Sequence, residues 1–248
     1  MRVGEEARGF GVSDETIRRD IKALVAAGIA TPVFGGAVLR PGLLPSDLRL
    51  PPVSERAKVE HEAKAAIGAA AARKIERGQV VILDAGTTTL AVAERLRRHR
   101  DLTVITNSLA VAQITAGIPG CATHVIGGRL VAGSLSMVGP QARRDLAGLT
   151  AEWAFLGAAA IGPAGDFASA DPEEAEVKQA MIRAARSAVI VADHTKFSAR
   201  GFVAFAAARD VQALLTTPGA PAPGLEAMRQ AGLAVEICPQ AWEDTAVA

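Results

Sequence analysis

Several short clusters in this chain combine residue types that bind anions. The run QVVILD, Gln79 to Asp84, ends in Asp84-Ala85-Gly86-Thr87-Thr88-Thr89 and opens a helical pattern. A small, hydroxyl-rich turn at a helix N-terminus offers backbone N–H groups, threonine hydroxyls and a positive dipole end, which suits phosphate. The same residues also describe an ordinary strand-to-helix turn capped by threonine. A second apolar run ends in Thr106-Asn107-Ser108, and a later one in Asp193-His194-Thr195-Lys196-Phe197. A lysine three residues past a strand-terminal aspartate can reach a phosphate, or pair with that aspartate in a plain salt bridge. Gly127 and Gly128 lie in VIGGRL, and Asp171 precedes a helix carrying Glu176 and Lys178. No GK[ST] follows the Gly86 turn and it is not GxGxxG, so a nucleoside triphosphate is disfavoured.

A different chemistry is written nearer the N-terminus. Val12 to Gly28, VSDETIRRDIKALVAAG, predicts a helix with Ser13 as N-cap, Asp14 and Glu15 in the first turn and Gly28 as the stop. Its apolar residues Ile17, Ile21, Leu24 and Val25 share one face; Thr16, Arg18, Arg19 and Lys22 occupy the other. IATPVFGGAVL follows, two β-prone runs with a turn near Gly35 and Gly36, the pattern of a β wing. Such a helix fits the DNA major groove, where arginine reads guanine or grips phosphate. Periodicity alone equally describes a helix with a solvated face.

The elements that would position these residues follow from the rest of the chain. Leu39 to Val53, LRPGLLPSDLRLPPV, carries four prolines and a glycine and reads as a hinge between two units. Beyond it an Ala-rich helix is predicted from about Val53 to Arg77, then a helix through Leu90 to Arg98 and the apolar run LTVIT at Leu102 to Thr106. EWAFLGA (Glu152 to Ala158), SAVIVAD (Ser187 to Asp193) and QALLTT (Gln212 to Thr217) continue the pattern, with EEAEVKQAMIRAA, Glu173 to Ala185, as a helix between. Short apolar runs alternating with helices predict a doubly wound α/β domain around a parallel sheet. The expected organisation is 1–40 for DNA binding, 41–53 as linker and 54–248 as an α/β domain.

The 248 residues hold 27 Lys+Arg against 26 Asp+Glu, a net charge of +1, so any nucleic-acid site must be local. Hydrophobic residues at 50% exclude disorder and allow a real core. Cys121 and Cys238 form no CxxC, and His61, His99, His124 and His194 share no ligand spacing, so no zinc or other metal site is expected and a reducing cytoplasm is. The longest uncharged apolar stretch, Ala154 to Gly165, is too short to span a bilayer, so no membrane association is expected. Arg95, Arg97, Arg98 and Arg100 read as a solvated helix end. Trp153, Phe155 and Trp242 read as core or oligomer contacts; 4% aromatics and no tyrosine argue against stacking on single-stranded nucleic acid.

The run GVSDETIRRDIKALVAAGIATPVFGGAVL resembles the signature of the DeoR family of bacterial transcription regulators, with Ser13, Thr16, Ile17, Arg18, Arg19, Asp20, Leu24, Gly28, Gly35, Gly36 and Ala37 in register. Phe34 replaces the family's usual histidine before the wing glycines. The family begins with an additional amphipathic helix of about four turns, so the resemblance predicts an in-frame upstream segment that would wall the core of Ile17, Ile21 and Leu24. From about Glu55 to Thr217 the motifs DxGTTT, TNS, a GG turn, EAEVK and DHTKF are similar to the family's sensor half. That half resembles ribose-5-phosphate isomerase and coenzyme A transferases, and its usual effectors are phosphorylated sugars or related intermediates. The resemblance implies DNA contacts from Ser13, Thr16, Arg18, Arg19 and Lys22. It implies an effector site of Asp84, Gly86, Thr87, Thr88, Asn107, Ser108, Lys178, Asp193 and Lys196. At the position after the strand Leu214 to Thr216, where the family often has aspartate, stands Thr217.

The expectation is therefore a cytoplasmic repressor of a carbohydrate operon, without catalytic residues or cofactors, that binds operator DNA as a homo-oligomer, a dimer or tetramer, and is released by a phosphorylated sugar. One rival is a sugar-phosphate isomerase using Asp84, Asp171, Glu176, Lys178, Asp193 and Lys196 as its acid–base set. Another is a sensor that only modulates a full-length relative.

Overall fold

Ile17 and Ile21, one helical turn apart, bury themselves in a small core while the arginines between them stay in solvent. This helix, α2 (Asp14–Ala26), follows α1 (Val3–Phe10) and precedes an antiparallel hairpin of β1 (Ala30–Val33) and β2 (Gly36–Leu39). The computed structural model describes residues 3–26, 30–33, 35–39, 51–163, 165–199 and 201–239, in two compact units, Met1–Arg49 and Leu50–Ala248. Gly28, Phe34, Trp242 and most of the proline-rich hinge lie outside the described residues.

In the small unit Ser13 caps α2 as its sequence predicts: its Oγ accepts from Thr16 N at 3.2 Å and lies 2.9 Å from Thr16 Oγ1. Val3 and Ala7 of α1 join Ile17, Ile21, Ala30 and Ala37 in one buried cluster, with Leu24 and Val25 at its edge. The short helix thus supplies a wall for Ile17 and Ile21. In the hairpin Val33 already pairs with Gly36, so Gly35 alone of the two glycines takes the left-handed turn conformation, at φ 79°.

The large unit continues with α3 (Val53–Arg56), α4 (His61–Ala72), β3 (Val80–Leu83), α5 (Thr87–Arg95), β4 (Thr103–Thr106), α6 (Leu109–Thr115) and β5 (Ala122–Val125). The hairpin β6 (Arg129–Val131) and β7 (Ser136–Val138) comes next, then α7 (Pro140–Ala147), β8 (Ala151–Gly157), β9 (Ala160–Ile161), β10 (Asp166–Ser169) and α8 (Pro172–Arg183). The described elements close with β11 (Ala185–Val191), β12 (Val203–Ala207), β13 (Ala213–Thr216), α9 (Ala222–Gln230) and β14 (Ala234–Ile237).

Seven strands form a parallel sheet in the order β14-β13-β11-β8-β3-β4-β5. From β3 the chain steps outward to β5, then returns to lay β8 on the other side of β3. The strand order reverses there, and an open α/β sheet binds ligands at the carboxyl ends of the strands flanking such a reversal. Successive residues feed opposite cores. Val81, Leu83, Val104, Phe155, Val189 and Leu215 pack with Ile67, Val92 and Val111 of α4, α5 and α6. Ile82, Ile105, Leu156, Ile190 and Leu214 pack with Leu146, Met181 and Leu225 of α7, α8 and α9. A strand covered on both faces must be apolar throughout, which is why these runs read as unbroken. Gly68 lets α4 and α5 touch, because a Cβ there would sit 2.6 Å from Ala91 O.

One expected element breaks. The helix expected from about Val53 to Arg77 is two, α3 and α4, separated by a turn in which Glu60 adopts φ 53°. The buried Lys64 ammonium donates to the carbonyls of Arg56, at 2.6 Å, and Val59, satisfying them where helix continuation would otherwise have done so. The three-stranded antiparallel sheet β12-β10-β9 was not legible in the sequence; Phe167 and Phe205 carry it onto the same core as Met181 of α8.

Candidate functional site

Asp84 leaves the end of β3 at the strand-order reversal, opposite the end of β8, and is 2% exposed. Its Oδ2 accepts from Gly157 N at 3.1 Å and from the Lys178 ammonium. Lys178 arrives from α8, also donates to Gly157 O at 2.9 Å, and stands 5.3 Å from the centroid of the Phe205 ring. Burial pushes the Asp84 carboxyl above the usual carboxylate range, and the Lys178 ammonium opposes that shift. Asp171 fixes the start of α8 by accepting from the N–H groups of Glu173, at 2.8 Å, and Glu174, at 3.1 Å.

Around this pair lies a cleft lined by Gly86, Thr87, Thr88, Lys178 and Lys196, together with Arg56, Ser134, Gly157, Ser169 and Glu174. Gly86 is the N-cap of α5 and brings no capping side chain, so the first-turn N–H groups are left for another acceptor. Lys196 sits on a 3-10 turn, His194–Phe197, and its ammonium makes no hydrogen bond or ion pair among the described residues. Among the described residues, three cations and a helix N-terminus thus face one space, against the single carboxylate of Glu174 on its wall. Serines hold that carboxylate: Ser134 and Ser136 donate to Oε1, Ser136 at 2.8 Å, and Ser169 donates to Oε2 at 3.4 Å.

The salt bridge weighed for Asp193 and Lys196 is not the arrangement found. Asp193 Oδ1 accepts from Thr195 N at 3.0 Å and from the Thr195 hydroxyl, while Oδ2 is buried without a hydrogen-bond partner among the described residues. Asp193 acts instead on Lys64, where it opposes the lowering of the ammonium pKa by burial. Asn107 and Ser108 are buried and are not among the residues that line the cleft. Ser108 Oγ accepts from Val111 N at 3.3 Å and caps α6. Asn107 binds Met137 through both backbone O, at 2.7 Å, and side chain, at 3.2 Å, tying β4 to the hairpin whose Ser136 holds Glu174. Of the acid–base set weighed for an isomerase, Asp171 caps a helix and Glu176 forms an exposed ion pair with Arg143 at 2.9 Å.

Arg56, Lys64 and Glu174 were missed. The Arg56 Nε donates to Pro51 O at 2.8 Å while the side chain lines the cleft; burial lowers its pKa, and Glu174 and Asp84 oppose that. For Lys64 the available signal was the lone lysine of HEAKAAIGAAAA, placed where the helix turns from its polar start, His61 and Glu62, into an apolar run.

In the small unit Arg19 and Lys22 are exposed and Thr16 half-buried. At about 100° per residue, Arg19 falls opposite the buried face of Ile17 and Ile21. Arg18 and Lys22 line a shallow cleft with Gly35 and Gly36 of the wing turn. Trp153 stacks on the buried Phe155 with centroids 6.0 Å apart. Among the described residues no group of three or more His, Cys, Asp or Glu side chains is placed to hold a metal, and no helix is long and apolar enough to cross a membrane.

A helix-turn-helix with a β wing, joined to a parallel α/β unit with a cationic cleft, defines a DNA-binding regulator with a separate sensor. Residues 1–40 match the DeoR-like helix-turn-helix domain and residues 59–217 the DeoR C terminal sensor domain. The chain belongs to the DeoR family of transcriptional regulators. It is 34% identical over 222 residues to the HTH-type transcriptional repressor CsqR of Escherichia coli (strain K12), covering 90% of this chain and 83% of that one. It is 28% identical over 229 residues to the Glycerol-3-phosphate regulon repressor of the same organism, covering 92% and 89%. Among solved structures, ribose 5-phosphate isomerase A from Methanocaldococcus jannaschii is similar at 14% identity and a TM-score of 0.41, over 56% of this chain and 55% of that one.

Proposed function

We propose that this protein is a cytoplasmic repressor of a carbohydrate-catabolic operon, released from its operator by a phosphorylated sugar bound in the cleft of the α/β unit. The observation that carries the reading is the convergence of Arg56, Lys178, Lys196 and the uncapped start of α5 on one space. A phosphate dianion there would gain charge-assisted hydrogen bonds of about 1.5–3 kcal/mol each. Lys178 is already engaged with Asp84, so Lys196 and Arg56 are the cations with capacity to spare. The glycerol-3-phosphate in the name of one relative supports a phosphorylated ligand of this class.

On the DNA side Arg19 would read base edges, with Arg18 and Lys22 on phosphate beside the wing and Ser13 and Thr16 at the helix start. One such unit makes few phosphate contacts, so two or more copies are needed for a tight site at physiological salt. Release requires that the effector bind the DNA-free form more tightly. The isomerase reading of the cleft is not favoured, since Glu176 and Asp171 are employed elsewhere and the sequence relatives are regulators.

Lys196→Ala tests this reading. The variant should bind sugar phosphates roughly tenfold to a hundredfold more weakly by calorimetry, with unchanged operator affinity in the absence of effector. In cells it should leave the operon repressed when the inducing sugar is supplied. Turnover of a sugar phosphate that Lys196→Ala abolishes would favour the enzyme instead. No binding of any phosphorylated ligand by the unaltered protein would sink both.

A further inference from the structure

Arg56 belongs to two structures at once. It lies in α3, the first element of the large unit, and lines the cleft beside Lys178 and Lys196. Its Nε meanwhile donates to Pro51 O at 2.8 Å, at the point where the chain enters that unit just after its boundary at Leu50. The rest of this entry segment is pinned to the α/β unit. Val53 N donates to Gly133 O, at the tip of the β6–β7 hairpin, at 3.1 Å, and Lys64 holds the carbonyls of Arg56 and Val59. The hairpin that anchors Val53 also carries Ser134 and Ser136, which hold Glu174, the carboxylate whose field acts on Arg56. Arg56, its counter-charge and the chain entry are therefore one connected set.

We infer that Arg56 couples the cleft to the DNA-binding unit: an anion engaging its terminal nitrogens reorients the guanidinium and so changes the Nε bond that holds Pro51, the start of the connection to that unit. This rests on the reading above that the cleft binds an anionic effector and adds how occupancy is transmitted. The guanidinium is a rigid planar fork, so turning its terminal nitrogens toward an anion about the Cδ–Nε bond also turns the coplanar Nε–H away from its present line to Pro51 O. A lysine at the same position keeps the charge but has no rigid planar frame that ties a donor on Pro51 to separate donors on the anion, so binding one does not turn the other.

The test compares the full-length protein with Arg56→Lys, Arg56→Gln and Lys196→Ala. An operator is first selected in vitro by the unaltered protein, and the probes are glycerol 3-phosphate, ribose 5-phosphate and inorganic phosphate at high millimolar concentration. Calorimetry gives probe affinity; anisotropy gives operator affinity with and without saturating probe; thermal melts confirm folding. The unaltered protein should lose operator affinity by about 5–150-fold at saturation, the usual range of such couplings. Lys196→Ala should need more probe yet reach the same final loss. Arg56→Lys should bind probe within about tenfold of the unaltered protein, a loss of at most about 1.4 kcal/mol, while its operator affinity barely responds. Hydrogen exchange at residues 51–57 should change on probe binding in the unaltered protein and not in Arg56→Lys. Full coupling in both Arg56 variants at saturation overturns the inference and leaves the proposed function standing. Binding of a probe by the unaltered protein without any change in operator affinity overturns effector release itself, and no binding of any probe removes the anion site; either result takes this inference with it.

Discussion

The two units use the same charged residue types in opposite ways. On α2 the arginines and Lys22 stand in solvent, where each charge costs nothing to keep and nothing in the fold depends on it. In the α/β unit Asp84, Lys178, Lys64 and Asp193 are almost fully buried, so each must be matched by a partner or a carbonyl. A reading surface thus separates binding from stability, whereas a buried cleft ties them together. Substitutions in the first should change affinity alone; those in the second should change folding first.

Asp84→Ala gives the largest effect expected. It leaves the buried Lys178 ammonium without its counter-charge, facing only the neutral Gly157 O and Phe205 ring among its described contacts, and should cost about 3–5 kcal/mol of unfolding free energy in a urea titration. Adding Lys178→Met should recover much of that loss, because the uncompensated charge goes with it. Equal losses for single and double variants would show that the ion pair is not what is at stake.

Arg19→Ala should weaken operator binding by about 1–3 kcal/mol and relax preference at one base pair, while the melting transition moves by less than about 0.5 kcal/mol in free energy. Arg18→Ala should instead lower the slope of affinity against salt, as expected for a phosphate contact. A stability loss in either variant would erase the contrast between the units.

The smallest effect belongs to the cap. Ser13→Ala removes the side-chain acceptor of Thr16 N, which keeps its 3.0 Å bond to Ser13 O, and should destabilise the small unit by about 1 kcal/mol, visible as faster hydrogen exchange in the first turn of α2. Protection unchanged there would mean that the helix start is held by its tertiary contacts.

Local rules made much of this legible. The buried strands announced themselves as unbroken apolar runs, the α2 register followed from Ile17 and Ile21, and Gly86 to Thr88 do line a cleft. What was missed depends on distant partners. Ser134, Ser169 and Glu174 meet across three elements, and Arg56 lay hidden in what reads as one continuous helix. Asn107 and Ser108, polar and at a strand end like Asp84, are not among the residues lining the cleft, and their hydrogen bonds run to Met137 and Val111.

The sequence by itself determined the class of both units and the face of α2 that meets solvent, because capping, helical period and strand burial act over a few neighbouring residues. Only the tertiary structure decided which charges share the cleft. The reversal of strand order puts the ends of β3 and β8 side by side and α8 within reach of both, so residues 84, 157 and 178 form one bonded set. Spacing along the chain carries no record of that meeting, since it is made by the path of the chain between them.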